Sequence, residues 1–221
     1  HPFAHTHQGN FPRIFGFLIF VLGARTVELQ ITITLFVVVL PSIIIAYNFL
    51  SRISSPMLAT VTCLVLLTDY VNFTQWQVVT YRVWHTLFFF LTLALVRAYA
   101  DRERRSILIA AVVTGASLFY FEISFALFIA VTTALYALVI LRKQPKSIMA
   151  LGSAFALGGL VAGVILISQL ILYLGWDGFQ QDLAITYNAR NNFGSDDYAN
   201  YMQEIKKFYA EHDVAFWFNM Y

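Results

Sequence analysis

The chain reads as a succession of apolar runs broken by short polar turns. Ile31 to Leu50, Met57 to Val71, Trp84 to Ala100, Ile107 to Phe121, Ile123 to Leu141 and Ser147 to Leu174 are nearly free of charge and are bounded by polar residues. A membrane-spanning helix needs about 20 consecutive apolar residues, with roughly 17 to 25 common. The first run meets that length directly. The shorter ones span if protein neighbours or a thinned bilayer cover their ends, and the last is long enough to tilt or to extend beyond the membrane. Glu122 alone separates the fourth run from the fifth. One helix of some 35 residues at about 1.5 Å each would overshoot a ~30 Å hydrocarbon core, so two antiparallel helices are expected there. The pattern predicts an all-α fold, a polytopic transmembrane helical bundle of about six spans.

The basic residues orient that bundle. Arg52 lies between the first and second runs. Arg97, Arg102, Arg104 and Arg105 lie between the third and fourth, and Arg142, Lys143 and Lys146 between the fifth and sixth. Alternate connections carry Lys and Arg, as an up-and-down topology with these turns on the cytoplasmic side requires. Residues 1–30, the Asp69 to Arg82 loop, Glu122 and everything after Leu174 then fall on the external side. Pro12 to Leu22 is apolar but too short to span, which predicts a juxtamembrane helix lying in the interface. Three regions follow: an external segment 1–30, a transmembrane bundle 31–174 and an external polar tail 175–221. In the tail, Gly194-Ser195-Asp196-Asp197 is a helix-start signal. Tyr198, Tyr201, Ile205 and Phe208 recur at three- and four-residue spacing, with Glu204, Lys207 and Glu211 on the wet side of the predicted helix.

Composition agrees with a lipid solvent. Hydrophobic residues make up 59% of the 221 and charged ones 12%, whereas a soluble domain carries roughly a quarter charged residues. Mean hydropathy is +0.69. The net charge of +2 gives no indication of a nucleic-acid partner. Cys63, the single cysteine, permits neither an internal disulfide nor a cysteine metal site. The chain opens without methionine and stops abruptly in Phe216-Trp217-Phe218-Asn219-Met220-Tyr221, as expected of a piece of a longer protein. The setting these features suit is a multi-pass protein of a bacterial inner membrane with its tail external.

No phosphate-cradling glycine loop, His-Glu-x-x-His helix or nucleophile elbow is present. The candidate chemistry instead gathers on the external side. His1, His5 and His7 precede the juxtamembrane helix, where they could bind metal or phosphate or simply be solvated. Asp69, Tyr70, Gln75, Trp76, Gln77, Tyr81 and Arg82 form a second polar group, whose aromatic members suit a membrane-interface belt. Arg82 and His85, near the mouth of a helix, are candidates for a phosphate ligand. Glu122 interrupts a long uncharged stretch; it is either a functional carboxylate at membrane depth or a hairpin turn exposed at the headgroups. Gly159 and Gly163 make a small-xxx-small pair suited to helix packing. Asn72-Phe73-Thr74 matches the glycosylation acceptor pattern.

The order of these parts resembles the C-type glycosyltransferase superfamily, membrane enzymes that take a sugar from a polyprenyl-phosphate donor. His7-Gln8-Gly9 stands where that family has His-Pro-Pro, followed by Pro12 to Leu22 as the juxtamembrane helix. Leu22-Gly23-Ala24-Arg25-Thr26-Val27-Glu28 stands at its Phe-Gly stretch, and Tyr81-Arg82 falls in its polar loop. The stretch from Thr114 to Glu122 resembles its Gly-x-x-x-Gly-Leu-x-x-Leu-Thr-Lys block, with Glu122 near the Lys position. The resemblance spans about residues 5–175. It implies donor-phosphate binding by His5, His7, Arg25 and Arg82, with Asp69, His85 and Glu122 as further candidates. It also implies a catalytic carboxylate upstream of His1 that deprotonates the acceptor or orients a divalent metal. The alternative is a non-catalytic transmembrane subunit that packs into a larger membrane complex. A transporter ranks last, because the ionisable residues lie at the ends of the runs.

Overall fold

The computed structural model describes residues 18, 20–23, 25–68, 82–121, 123–191, 200, 203 and 207. Regular structure among them is entirely helical: α1 Val27–Thr34, a π-helical stretch Leu35–Val39, α2 Leu40–Ile53, α3 Pro56–Thr68, α4 Arg82–Asp101, α5 Arg105–Phe121, α6 Ile123–Ile140 and α7 Pro145–Asn191. The chain divides into two compact units, one holding the described residues up to Ala162 and the other those from Gly163.

Residues 18, 20 and 21 are helical and belong to the segment expected to lie in the interface. The turn ends at Gly23, whose φ of 108° is the left-handed conformation that closes helices. Leu22 N–H donates to Leu18 O and Gly23 N–H to Phe20 O. The next helix starts at once, because the Thr26 hydroxyl accepts from Leu29 N–H at 3.3 Å and Glu28 sits in the first turn. From Glu28 the helix runs unbroken to Ile53, through the π stretch. Pro41 lies in the first turn of α2 and has no N–H to give, and a wider turn just before it is one way the ladder absorbs that loss.

Hydroxyls inside these helices bond to their own backbone. Thr34 and Ser42 are buried, and they donate to Gln30 O (2.8 Å) and Val38 O (2.5 Å). Thr60, Thr62, Thr68 and Thr132 each donate to the carbonyl four residues earlier. A hydroxyl satisfied this way carries little desolvation cost in apolar surroundings.

Two described helices are long and apolar enough to cross a membrane, Glu28–Ile53 with 26 residues and Pro145–Leu172 with 28. Pro56–Thr68, Arg105–Phe121 and Phe125–Ile140 are apolar but shorter. At about 1.5 Å per residue the two long helices measure roughly 40 Å.

In the first unit, α2 packs on α3 and α4, α4 packs on α5 and α6, and α5 packs on α6. One buried cluster joins Val96 and Tyr99 near the end of α4 to Ala111 early in α5, Ala137 and Leu141 at the end of α6, and Leu151 early in α7. Another joins Trp84 and Phe88 at the start of α4 to Phe121 at the end of α5 and Ala126 early in α6. Shared ends of this kind make α5 and α6 an antiparallel hairpin about position 122, as the sequence led us to expect.

The glycines fix the closest crossing. A Cβ on Gly158 would lie 2.2 Å from Val112 O and 2.7 Å from Ala116 N, and one on Gly115 would lie 2.8 Å from Phe155 O. The tight pair between α5 and α7 is therefore Gly115 with Gly158. Gly159 instead faces the Phe119 ring, and a Cβ on Gly163 would meet no described atom within 4 Å.

In the second unit, Leu166, Leu170 and Leu174 are buried at four-residue spacing. Helical geometry is interrupted at Gly175 (φ 72°, ψ 173°), beyond which Phe179 and Asp182 are buried. Residues 200, 203 and 207 are helical; the remainder of the amphipathic helix expected from Tyr198 to Phe208 lies outside the described residues.

Candidate functional site

The end of the first unit where α4 begins holds the candidates with described surroundings. Arg82 is the first residue of α4, at the end where backbone N–H groups and the helix dipole favour an anion. His85 follows one turn later. Its ring lies 3.8 Å from that of Phe125 in a stacked arrangement and 5.6 Å, edge-on, from that of Phe121. Phe121 ends α5 and Phe125 lies in the first turn of α6, so the fold brings His85 to the ends of both helices. Below it, Trp84 and Phe121 both pack on Phe88, with centroids 6.3 and 5.5 Å away. The aromatic ring pairs hold the imidazole in a half-buried position.

Arg25 is exposed in the turn before α1, its N–H bonded to Gly23 O at 2.9 Å. His5, His7, Asp69 and Glu122 lie outside the described residues, as do Asn72-Phe73-Thr74 and the side chain of Arg82. Among the described residues, no group of three or more His, Cys, Asp and Glu side chains could hold a metal ion.

The opposite end of the unit is cationic. Arg52, Arg102, Arg104, Arg105, Arg142, Lys143 and Lys146 are exposed where α2, α4 and α6 end and α3, α5 and α7 begin. Asp101 and Glu103 are the described carboxylates here, and both are engaged. Asp101 lies 3.3 Å from Arg97 Nε and 3.9 Å from Arg52 Nη1. The Arg97 contact is an ion pair by distance but lacks hydrogen-bond alignment. Glu103 accepts a hydrogen bond from the buried Ser147 hydroxyl, tying the α4–α5 turn to the start of α7. Hydropathy located these turns but not the links between them, because a Glu and a Ser 44 residues apart leave no local pattern.

Between the two ends, α5, α6 and α7 enclose a cavity of about 390 Å³ with an almost wholly apolar lining. At its floor, the Thr133 hydroxyl donates to Thr92 Oγ1 at 3.3 Å, and Thr92 in turn donates to Phe89 O. In comparisons with known proteins, no family model, curated protein or solved structure matches the chain. What it does has to follow from its own residues.

Proposed function

We propose that the chain is a multi-pass membrane protein, an up-and-down bundle of about six spans that binds a polyprenyl-phosphate-linked sugar at the end where α4 begins, as C-type glycosyltransferases do. The observation that carries the membrane reading is the outward surface of α6. This 18-residue helix has no charged side chain, yet Phe128, Val131, Leu135 and Val139 are 59 to 68% exposed. Soluble monomers rarely expose a contiguous apolar patch above a few hundred Å²; in hydrocarbon the same surface costs nothing. Helices of 13 to 18 residues are short for a ~30 Å core, and local thinning or flanking residues at the interface make up the difference. The cationic end is cytoplasmic in this reading, and the α4 start is external.

The donor reading rests on Arg82 and His85. A lipid-linked donor enters from the bilayer with its phosphate at headgroup depth, where a guanidinium and an imidazole give charge and hydrogen bonds to phosphate oxygens. In the transfer, the bond from the sugar's anomeric carbon to the phosphate oxygen breaks and a bond to the acceptor oxygen forms. The acceptor proton goes to a carboxylate. The resemblance puts that carboxylate upstream of His1, and Asp69 and Glu122 are the candidates within the chain.

The test uses full-length native protein in proteoliposomes with a photoreactive polyprenyl-phosphate sugar. Arg82→Ala and His85→Ala should each cut crosslinking roughly tenfold, the worth of one charge-assisted hydrogen bond, while Arg104→Ala leaves it unchanged. Wild-type crosslinking in both variants refutes the donor site. The packing of the His85 ring against Phe125 and Phe121 favours a second reading, a non-catalytic subunit. In that case the native protein binds no donor and co-purifies in fixed ratio with another membrane protein.

A further inference from the structure

We propose that the cavity between α5, α6 and α7 is a lipid site, taking one acyl chain of an anionic phospholipid whose phosphate meets Arg142, Lys143 and Lys146. This inference rests on the membrane reading above but not on the donor site, which lies at the other end of the bundle.

Small residues make the groove. Ala126, Ala130, Ala134 and Ala137 on α6 and Gly152 and Ala156 on α7 leave space where larger side chains would have met. Ala130, Ala134, Gly152 and Ala156 are themselves exposed, so the cavity opens sideways between the two helices. From Ala126 to Leu138 the lining extends over thirteen residues of α6, an axial length of about 18 Å suited to an extended hydrocarbon chain. In the membrane reading this opening faces lipid, and an apolar space of that size joined to the hydrocarbon region is filled by a chain rather than by water.

The headgroup chemistry follows from what stands at the groove's cationic end. The lining reaches Leu138 and Ile148. Arg142 lies about one turn beyond Leu138, and Lys146 stands two residues before Ile148. All three cations are exposed, and the carboxylates of that end are committed to Arg97, Arg52 and Ser147. With eight bases at that end against Asp101 and Glu103 among the described residues, positive charge is in surplus at the mouth of a chain-shaped slot. Its complement is a headgroup of net negative charge, which a phosphatidylglycerol presents and a zwitterionic phosphatidylcholine, whose choline cation offsets its phosphate, does not. The cytoplasmic leaflet, where this end resides, is the one rich in anionic lipid.

Native mass spectrometry of the full-length protein, released from nanodiscs of equal phosphatidylglycerol and phosphatidylcholine, tests this. The wild type should retain one phosphatidylglycerol in preference to phosphatidylcholine. Replacing Arg142, Lys143 and Lys146 with Gln should weaken that retention by roughly fivefold per charge removed. Ala134→Phe fills the groove without altering charge, and it should abolish retention of the single lipid. Equal retention of both lipids by the wild type overturns the site. Full retention by Ala134→Phe also overturns it, because a diffuse surface attraction would ignore the groove. A groove occupied by a helix of another protein would show as no retained lipid and loss of an assembly in Ala134→Phe, which equally overturns it. Failure of the membrane reading is distinguishable, since the protein would then not enter nanodiscs of either composition.

Discussion

Replacing Gly158 with alanine tests the packing of α5 against α7 at its narrowest point. The added carbon would stand 2.2 Å from Val112 O, 2.7 Å from Ala116 N and 3.0 Å from the carbonyl carbon of Gly115. All three are backbone atoms, so no side chain can swing aside and the helices themselves must part by more than 1 Å. A radial gap of 0.5–1 Å already forfeits a quarter to a half of each dispersion contact, about 0.1–0.2 kcal/mol per atom pair. Over a few tens of pairs at the crossing that is about 1–2 kcal/mol, and overpacking strain adds roughly 1–3 more. The expected loss is about 2–4 kcal/mol. Gly152→Ala is the control, because no described atom lies within 4 Å of its added carbon. It should be neutral or stabilise by up to about 1 kcal/mol through helix propensity. Reversible unfolding of detergent-solubilised protein, titrated with a denaturing surfactant and followed by circular dichroism, measures both. If Gly158→Ala proves as stable as Gly152→Ala, the close crossing is wrong.

Four further outcomes follow from the same structure. Ser147→Ala removes the link to Glu103 and should cost about 1–2 kcal/mol in that unfolding assay. Asp101→Asn breaks pairs that are one-third to two-thirds exposed, so it should cost less than about 1 kcal/mol, a loss that shrinks further in added salt. Tyr136→Phe should be neutral or stabilising by up to about 1 kcal/mol, since the Tyr136 hydroxyl is buried with no hydrogen-bond partner among the described residues; a loss above 1 kcal/mol would contradict that. In a Cys63→Ala background, Arg104→Cys and Lys143→Cys should react with a membrane-impermeant maleimide from the cytoplasmic side and Arg25→Cys only from the other, whereas labelling of all three from one side would refute the topology.

Helix existence was legible because apolar runs and their polar breaks report solvent preference directly. The run Trp84 to Ala100 became Arg82–Asp101, and Ile107 to Phe121 and Ile123 to Leu141 became the separate helices Arg105–Phe121 and Ile123–Ile140. Hydropathy does not report which face of a helix meets which neighbour. When a helix is apolar all round, as α6 is, it carries no stripe from which a buried face can be read. That is why the glycine pair suggested by local spacing, Gly159 and Gly163, is not the one that closes the crossing. Gly115 and Gly158 do so from separate helices, and no spacing rule joins positions 43 residues apart. The same blindness hid Thr133 against Thr92 and Ser147 against Glu103.

Charge was more informative than any single candidate residue, and the structure gives the physical reason. A histidine such as His85 is ambiguous in sequence, since packing between Phe121 and Phe125 and ligation of a phosphate use the same side chain. His5, His7, Asp69 and Glu122 lie outside the described residues. The basic turns, by contrast, act as a group. Their carboxylates are consumed internally: Asp101 by Arg97 and Arg52, Glu103 by Ser147. Two described acids stand against eight bases at that end, so the acids that fasten helix ends together still leave Arg102, Arg104, Arg105, Arg142, Lys143 and Lys146 exposed and in surplus. The same few acids can thereby hold the turns in register and leave the surface cationic. It follows that Glu103→Gln should weaken the α4–α5 turn's hold on α7 while raising, not lowering, the attraction of that end for anionic lipid.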